Sequence, residues 1–179
     1  TIVTLRRNKT LSDVHQREAQ LGTLIGQAIH QIRQVLVDLR PPLLDEHGLA
    51  AALDNELRNR SQSRPEVDIS IDIPSEVEAM RWPAEVEYAA FMIGREAVEN
   101  SLRHSGASCV SVRLTGTSIS IRLEVVDNGV GMSLDVRPRI GHLGILGMQE
   151  RAHAIGATVH VNSGETGGTQ VCLDWERVP

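Results

Sequence analysis

The first part of the chain carries a long amphipathic pattern. Between residues 14 and 39, apolar or small side chains recur at intervals of four and three, and polar side chains fill the positions between them. This spacing predicts a helix with one apolar seam, typical of helices that pair with a partner helix, although a helix packed on its own domain has the same pattern. The seam consists of Leu21, Ile25, Ala28, Ile32, Val35 and Leu39.

Two prolines, Pro41 and Pro42, interrupt this pattern. Proline lacks a backbone donor and disfavours helical conformation in the residue before it. We therefore expect the first helix to end here and a joint to cover residues 43–48, before helical periodicity resumes at residues 49–60. The boundary predicted in this way separates residues 1–42 from one compact domain over residues 43–179.

The compact part mixes strand-like and helix-like patterns. A strictly alternating run at residues 67–73 predicts a half-buried strand, and residues 84–104 predict a long amphipathic helix behind Pro83. A short helix is expected at about residues 145–155, and further strands at residues 109–114, 118–126, 158–162 and 169–175. This order of elements predicts an α+β fold, a two-layer α/β sandwich with a mixed or mostly antiparallel sheet.

Composition narrows the possible partners. Hydrophobic residues make up 41% of the 179 residues, which is enough for a core, whereas aromatic residues make up 2% and offer few surfaces for stacking bases. The net charge of −5 opposes binding to a nucleic-acid backbone, and no apolar run is long enough to cross a bilayer. Cys109 and Cys172 are expected to be core residues. A single bound nucleotide remains compatible with these features.

Three polar residues share one face of the predicted long helix. Glu96 and Asn100 are four residues apart, and His104 follows one turn later. Oxygen groups in such a row can hold a hydrated Mg²⁺ ion near phosphates, since Mg²⁺ prefers oxygen ligands and keeps several waters. A solvated helix face is the alternative interpretation of the same spacing.

A second candidate for a ligand-binding segment lies where a predicted strand ends in Asp127, which is followed by Asn128, Gly129, Val130 and Gly131. The glycines allow a sharp turn and the close approach of a flat ligand. A buried aspartate there can accept a hydrogen bond from the exocyclic amine of adenine, which guanine replaces with a carbonyl. An ordinary hairpin turn is the alternative.

Further glycines precede the predicted short helix. Residues 141–148 (GHLGILGM) lead into its start, where free backbone amides favour phosphate groups. The run matches neither the Walker pattern nor the Rossmann fingerprint. The polar residues 133–140 are compatible with a mobile lid or with a plain surface loop. Gly168 and Thr169 lie at the start of the last predicted strand.

The order of these motifs resembles the ATPase superfamily that groups gyrase, heat-shock chaperone, histidine kinase and mismatch-repair ATPases. More narrowly, the chain from about residue 20 onward resembles sensor histidine kinases of the nitrate-sensor and degradation-sensor type. The segments that carry this likeness are LRPPLLDEHGLAAAL, REAVENSLRHSGAS, VVDNGVGM and GHLGILGMQERA. The resemblance implies a Bergerat-type ATP-binding fold, a mixed sheet with three helices on one face, preceded by a long helix.

The resemblance also implies roles for individual residues. Asn100 would be the Mg²⁺ ligand, and Asp127 would accept the adenine amine. Glu96 matches the glutamate that activates water in the hydrolytic relatives, and in a kinase it would instead polarise the acceptor histidine; His104 would lie near phosphate. The expected catalytic set is Glu96, Asn100 and His104, and the expected nucleotide-binding set is Asn100, Asp127, Gly129, Gly131, Gly141, Leu143, Gly144, Gly147 and Thr169.

One departure from the family pattern concerns the phosphoacceptor, a histidine followed directly by an acidic residue. A glutamine follows both His15 and His30, and a glycine follows His47. We therefore expect residues 1–42 to contain the second helix of a dimerisation hairpin whose acceptor lies outside this sequence. The alternative is that the protein is a degenerate kinase that has lost its acceptor. Either case predicts ATP binding without self-phosphorylation.

The resemblance implies transfer of the γ-phosphate of Mg-ATP to a histidine on the hairpin, and then to an aspartate of a response regulator with a helix-turn-helix output domain. It also implies a homodimer through the N-terminal helix and a cytoplasmic location, with or without an anchor in the inner membrane. Direct contact with nucleic acid or membrane is not expected. The alternatives are a serine kinase or hydrolytic ATPase of the same superfamily, and a non-catalytic interaction module.

Overall fold

A computed structural model of the chain describes residues 41–131, 142–164 and 167–177. From Pro41 onward these residues belong to one compact unit. The predicted N-terminal helix with its apolar seam lies outside the described residues.

A five-stranded sheet forms one layer of this unit. Its spatial order is β1-β2-β3-β5-β4, with β1 parallel to β2 and all other neighbours antiparallel. The sheet is mixed, as the sequence predicts. Its strands are β1 (Asp68–Asp72), β2 (Cys109–Thr117), β3 (Ser120–Asp127), β4 (Thr158–Ser163) and β5 (Thr169–Glu176).

Within the described residues, four helices accompany the sheet: α1 (Pro42–Ser63), α2 (Ser75–Glu78), α3 (Ala84–His104) and α4 (His142–Ala154). The predicted bounds of α3 are confirmed, with Pro83 immediately ahead of it. The short α2 was not predicted, and α4 begins three residues earlier than predicted.

The expected joint over residues 43–48 is wrong for most of its length. Helix α1 already begins at Pro42, because a proline is tolerated in the first turn of a helix, where its missing N–H has no partner to lose. The break in helical conformation is confined to Gly48, whose φ is 85° and ψ is −177°.

Alternation along the strands places the core between the sheet and the helices. In β2, Val110, Val112 and Leu114 are buried, whereas the intervening Ser111 and Arg113 are exposed. The helices therefore cover one face of the sheet, and the other face is polar, which is the two-layer α+β sandwich predicted from the sequence.

The same alternation determines on which face of the sheet the last residue of β3 lies. Ile121, Leu123 and Val125 are buried on the helix-covered face, and Asp127 continues that series at the end of the strand. The fold thus points the Asp127 side chain towards α3 and away from the polar outer face.

Candidate nucleotide-binding site

Asp127 is a buried carboxylate at the end of β3. The residue is only 5% exposed. A carboxylate removed from water is costly unless it is hydrogen-bonded. The contacts that surround Asp127 therefore show what the site is built to hold.

Among the described residues, three protein groups donate hydrogen bonds to this carboxylate. Ser101 Oγ of α3 lies 2.9 Å from Oδ2, while the Gly129 and Thr169 amides lie 2.9 and 3.2 Å from Oδ1. An ionised carboxylate accepts about four hydrogen bonds. The described residues thus satisfy Oδ1 twice and Oδ2 once, and one acceptor position on Oδ2 remains for a ligand.

Glycine loops close around Asp127 on two sides. A Cβ atom added at Gly129 would overlap the backbone carbonyl and side chain of Ser105. At Gly168, where φ is 83°, an added Cβ would overlap the Asp127 carbonyl. Only glycine allows the backbone segments to approach this closely, which explains the residue type at both positions.

Gly131 completes this loop pair. Its φ is 74°, and an added Cβ would lie 3.0 Å from the Gly168 carbonyl oxygen. Gly129 and Gly131, both in the expected nucleotide-binding set, are thus packed against the turn that precedes β5. Thr169, the first residue of β5, contributes its backbone amide to Asp127.

Glu96 and Asn100 lie half-buried on α3, next to the first turn of α4. A Cβ atom added at Gly144 would collide with the Glu96 carboxylate and would lie 3.2 Å from Asn100 Nδ2. The structure therefore brings these three predicted residues together. His104 is the last residue of α3 and is exposed.

The early start of α4 changes the surroundings of its glycines. Gly144 lies in the first turn, where backbone amides lack a partner within the helix. Gly147 lies in the second turn, where amides belong to the helical ladder, and its added Cβ would lie 3.1 Å from Arg151 Nη1. Gly141, the side chain of Leu143 and the predicted lid at residues 133–140 lie outside the described residues.

Ser101 is a site residue that the sequence analysis did not select. It directly follows Asn100, and its position four residues after Ala97 on the buried side of α3 was the available signal. The Ser101 hydroxyl, 6% exposed, also lies 3.1 Å from the Ala97 carbonyl.

Two further residues hold the loop that follows β3. The Ser105 carbonyl accepts a hydrogen bond from the Val130 amide at 2.8 Å. Asn128 Oδ1 accepts the amides of Ser108 and Cys109, each at 3.0 Å. These contacts fix the glycine loop to the segment that joins α3 to β2.

Neither cysteine takes part in the site. Both are free; Cys172 is buried, as predicted, and Cys109 is only half-buried. Burial and the neighbouring Asp174 carboxylate raise the pKa of the Cys172 thiol to about 11. Such a thiol is a poor nucleophile near neutral pH.

The described residues contain no cluster of three or more histidine, cysteine or acidic side chains that would hold a metal by protein ligands alone. Glu96 and Asn100 nevertheless supply oxygen donors at one place, a donor set that suits Mg²⁺ with waters and phosphates as its other ligands. Within the same part of the chain, no helix is long and apolar enough to span a membrane.

Comparisons with known proteins agree with this geometry. Residues 85–178, just over half of the chain, match the family described as histidine kinase-, DNA gyrase B- and HSP90-like ATPase. Over 170 residues the chain is 31% identical to the oxygen sensor histidine kinase NreB of Staphylococcus carnosus (strain TM300), covering 95% of this chain and 48% of that protein.

Two solved structures share the fold. The blue-light activated histidine kinase of Erythrobacter litoralis superposes with a TM-score of 0.65 at 20% identity, over 96% of this chain and 62% of that one. The ATP binding domain of PrrB from Mycobacterium tuberculosis gives a TM-score of 0.56 at 20% identity, over 73% and 95% of the two chains. The chain belongs to the histidine kinase-, DNA gyrase B- and HSP90-like ATPase family.

Proposed function

We propose that this chain is the ATP-binding catalytic domain of a sensor histidine kinase. The observation that carries the proposal is the buried Asp127 carboxylate, on which the described residues leave one acceptor position unfilled beside the helix that bears Asn100. The chain spans about half the length of the relative NreB, so the activity of the whole protein is part of this proposal.

The open acceptor on Asp127 favours adenine over guanine. The amino group of adenine donates a hydrogen bond, whereas the corresponding group of guanine is a carbonyl that would face the carboxylate lone pairs. Gly129 and Gly131 let the loop after β3 pack closely against Ser105 and Gly168 beside the carboxylate, because neither glycine carries a side chain. Asp127 thus supplies the base specificity of the proposed site.

The phosphate end of the site lies between α3 and the first turn of α4. Asn100 and Glu96 would hold Mg²⁺, which neutralises charge on the phosphates when bound. The free amides at the start of α4, next to Gly144, favour an anionic group at the same place. The contribution of the chain is therefore positioning and charge stabilisation, which is the main protein contribution to phosphoryl transfer.

The acceptor in this proposal is a histidine on a dimerisation hairpin. His15 and His30 lie outside the described residues, and His47 is exposed on α1. None has the acidic neighbour expected of an acceptor. We accordingly propose transfer to a hairpin histidine, then to a response regulator, in a dimer formed through the N-terminal helix on the cytoplasmic side, where ATP is available.

The proposal is tested by incubating the 179-residue chain with γ-labelled Mg-ATP, with and without a separate hairpin that carries an acceptor histidine. We expect label on the hairpin and none on the chain itself. Asn100→Ala should abolish the transfer, since it removes an oxygen donor from the phosphate end of the site. Asn55→Ala, at an exposed position of α1, is the matched control and should transfer normally.

Each alternative gives a different result. A non-catalytic module would bind the nucleotide or nothing and label no hairpin. A hydrolytic ATPase would release labelled inorganic phosphate regardless of the hairpin, and a serine kinase would give a label that resists acid. Acid-labile label on a histidine of the chain would contradict the prediction that it does not phosphorylate itself.

A further inference from the structure

Arg151 is a half-buried arginine of α4 that has no acidic partner within the described part of the chain. Most other arginines of that part form an ion pair with a carboxylate, namely Arg58, Arg60, Arg64, Arg81, Arg103, Arg113 and Arg122. A cation that is partly removed from water without a counter-charge is costly. The surroundings of the Arg151 guanidinium group therefore indicate which anion it could bind.

Arg151 lies on the same face of α4 as Gly144. The two residues are seven positions apart, and such positions differ by only about 20° around the axis of an α-helix. Gly144 faces the Glu96 carboxylate and the Asn100 amide of α3, because a Cβ atom added there would meet both groups. The Arg151 side chain therefore leaves α4 on the side of the phosphate end of the proposed site. Arg95 is also half-buried and without an ion pair among the described residues, but it lies about 100° around α3 from Glu96.

The guanidinium group of Arg151 extends along α4 in the direction of Gly144. A Cβ atom added at Gly147 would lie 3.1 Å from Arg151 Nη1, so the guanidinium occupies the space into which a side chain at position 147 would point. Helical side chains lean towards the N-terminus of their helix, which explains this direction. Gly147 is three residues from Gly144, a rise of about 4.5 Å. Along the helix axis, the positive charge is thus about one turn from the contact of Gly144 with Glu96 and Asn100.

We propose that Arg151 binds the phosphate chain of the nucleotide, at the end of the site that Glu96 and Asn100 form. This inference rests on the proposed function and adds a residue that the sequence analysis did not select. A guanidinium group presents several N–H donors in one plane, a geometry that matches the oxygens of a phosphate. The phosphate chain supplies the counter-charge that Arg151 lacks among the described residues, and Gly147 leaves the space in which the arginine lies.

A positive charge is needed at this end of the site because Glu96 is itself anionic. Phosphates that approach Glu96 meet a like charge, and a guanidinium group nearby offsets that repulsion. Asp127, which binds the base in the proposed site, lies at the end of β3 and has no contact with Arg151 among the described residues. Loss of Arg151 should therefore weaken the binding of the phosphates and leave the binding of the base unchanged.

Two substitutions of Arg151 separate phosphate binding from a structural role. Arg151→Gln removes the charge and breaks no ion pair of the described residues, so the melting temperature without ligand should not fall. Arg151→Lys keeps the charge but loses the planar fork, so it should retain part of the affinity for phosphates. Arg58→Gln is the matched control, because Arg58 is a helical arginine whose ion pair with Asp54 lies at the surface of α1.

The experiment measures the affinity for a non-hydrolysable ATP analogue by calorimetry, with and without Mg²⁺, and the affinity for adenosine by NMR chemical-shift titration. For Arg151→Gln we expect the affinity for the ATP analogue to fall by about 10- to 100-fold in both conditions, the effect of losing a charge-assisted hydrogen bond. Its affinity for adenosine, which has no phosphate, should stay within about twofold of the wild type. Arg151→Lys should lose less, and Arg58→Gln should bind both ligands as the wild type does.

The inference is overturned if Arg151→Gln binds the ATP analogue as tightly as the wild type, or if its affinities for the analogue and for adenosine fall by the same factor. A wild-type chain that binds neither ligand would refute the proposed function and, with it, this role of Arg151. A wild-type chain that binds the analogue but labels no hairpin would refute the kinase function alone. The titrations would still show whether Arg151 binds phosphate, so the two failures are distinguishable.

Discussion

Replacing Asp127 with asparagine tests the base-binding assignment with little disturbance to the fold. If the side-chain oxygen of the asparagine takes the place of Oδ1, it still accepts the Gly129 and Thr169 amides. Its amide nitrogen then lies where Oδ2 was and donates to Ser101 Oγ, whose own proton turns to the Ala97 carbonyl 3.1 Å away. Each of the three hydrogen bonds that the described residues donate to the carboxylate keeps a counterpart in this variant.

The substitution should act on the acceptor position of Oδ2 that the described residues leave unfilled. That position becomes an N–H donor and faces the donor amine of adenine. The loss of a hydrogen bond to a charged group costs about 1.5 to 3 kcal/mol, which corresponds to about 10- to 150-fold weaker ATP binding. For guanine the same exchange turns a clash between two acceptors into a hydrogen bond, so the preference for ATP over GTP should narrow or reverse.

Calorimetric titration with non-hydrolysable ATP and GTP analogues measures both effects, and thermal unfolding checks that the variant is folded. Asp72→Asn is the matched control, since Asp72 is an exposed carboxylate on β1. A folded Asp127→Asn variant that binds the ATP analogue as tightly as the wild type would refute the reasoning. Equal losses for the ATP and GTP analogues would refute the specificity argument alone.

Four further outcomes follow from contacts of the described residues. Ser101→Ala leaves the buried carboxylate short of a donor, so urea unfolding should show a loss of about 1.5 to 3 kcal/mol. Gly144→Ala should weaken ATP binding in titrations without lowering the melting temperature, because alanine favours helix while its Cβ displaces the Glu96 carboxylate; unchanged affinity would contradict this. Near neutral pH, alkylation should modify the half-buried Cys109 first and spare Cys172, whose pKa is raised by burial to about 11. The pKa of Cys172 in the folded state exceeds the reference value of 9.0, so the stability contributed by its neutral thiol should be present below pH 9.0 and be lost as the pH rises to about 11. Unfolding measured at a series of pH values would show this loss.

The sequence predicted most of the fold because its periodicities are local and unambiguous. The bounds of α3 follow from an amphipathic run that starts behind a proline, and β3 was predicted to within two residues at its start and one at its end. The position of Asp127 was predictable for the same reason, since a polar residue that continues a buried alternation must either turn outward or bind something. Glu96, Asn100 and Gly144 were selected from separate motifs, and the structure brings them together.

What the sequence could not predict depends on contacts between distant segments. The parallel pairing of β1 with β2 joins strands separated by two helices, and no local pattern specifies it. The helical start at Pro42 was missed because proline permits a first turn as readily as it ends a helix. Gly48 looked like part of a joint, and only the approach of Arg81 from 33 positions later shows why glycine is required there.

The donors around Asp127 come from three separate parts of the fold: Ser101 from α3, Gly129 from the loop after β3, and Thr169 from the start of β5. A carboxylate held from three sides is oriented before the ligand arrives, so little binding energy is lost in ordering it. In the proposed site, base recognition would depend on the assembly of all three segments, because a shift of any one leaves part of the buried charge without a donor. We therefore expect a distortion of α3, of the glycine loop or of β5 to lower nucleotide affinity at the proposed Asp127 site before it unfolds the domain.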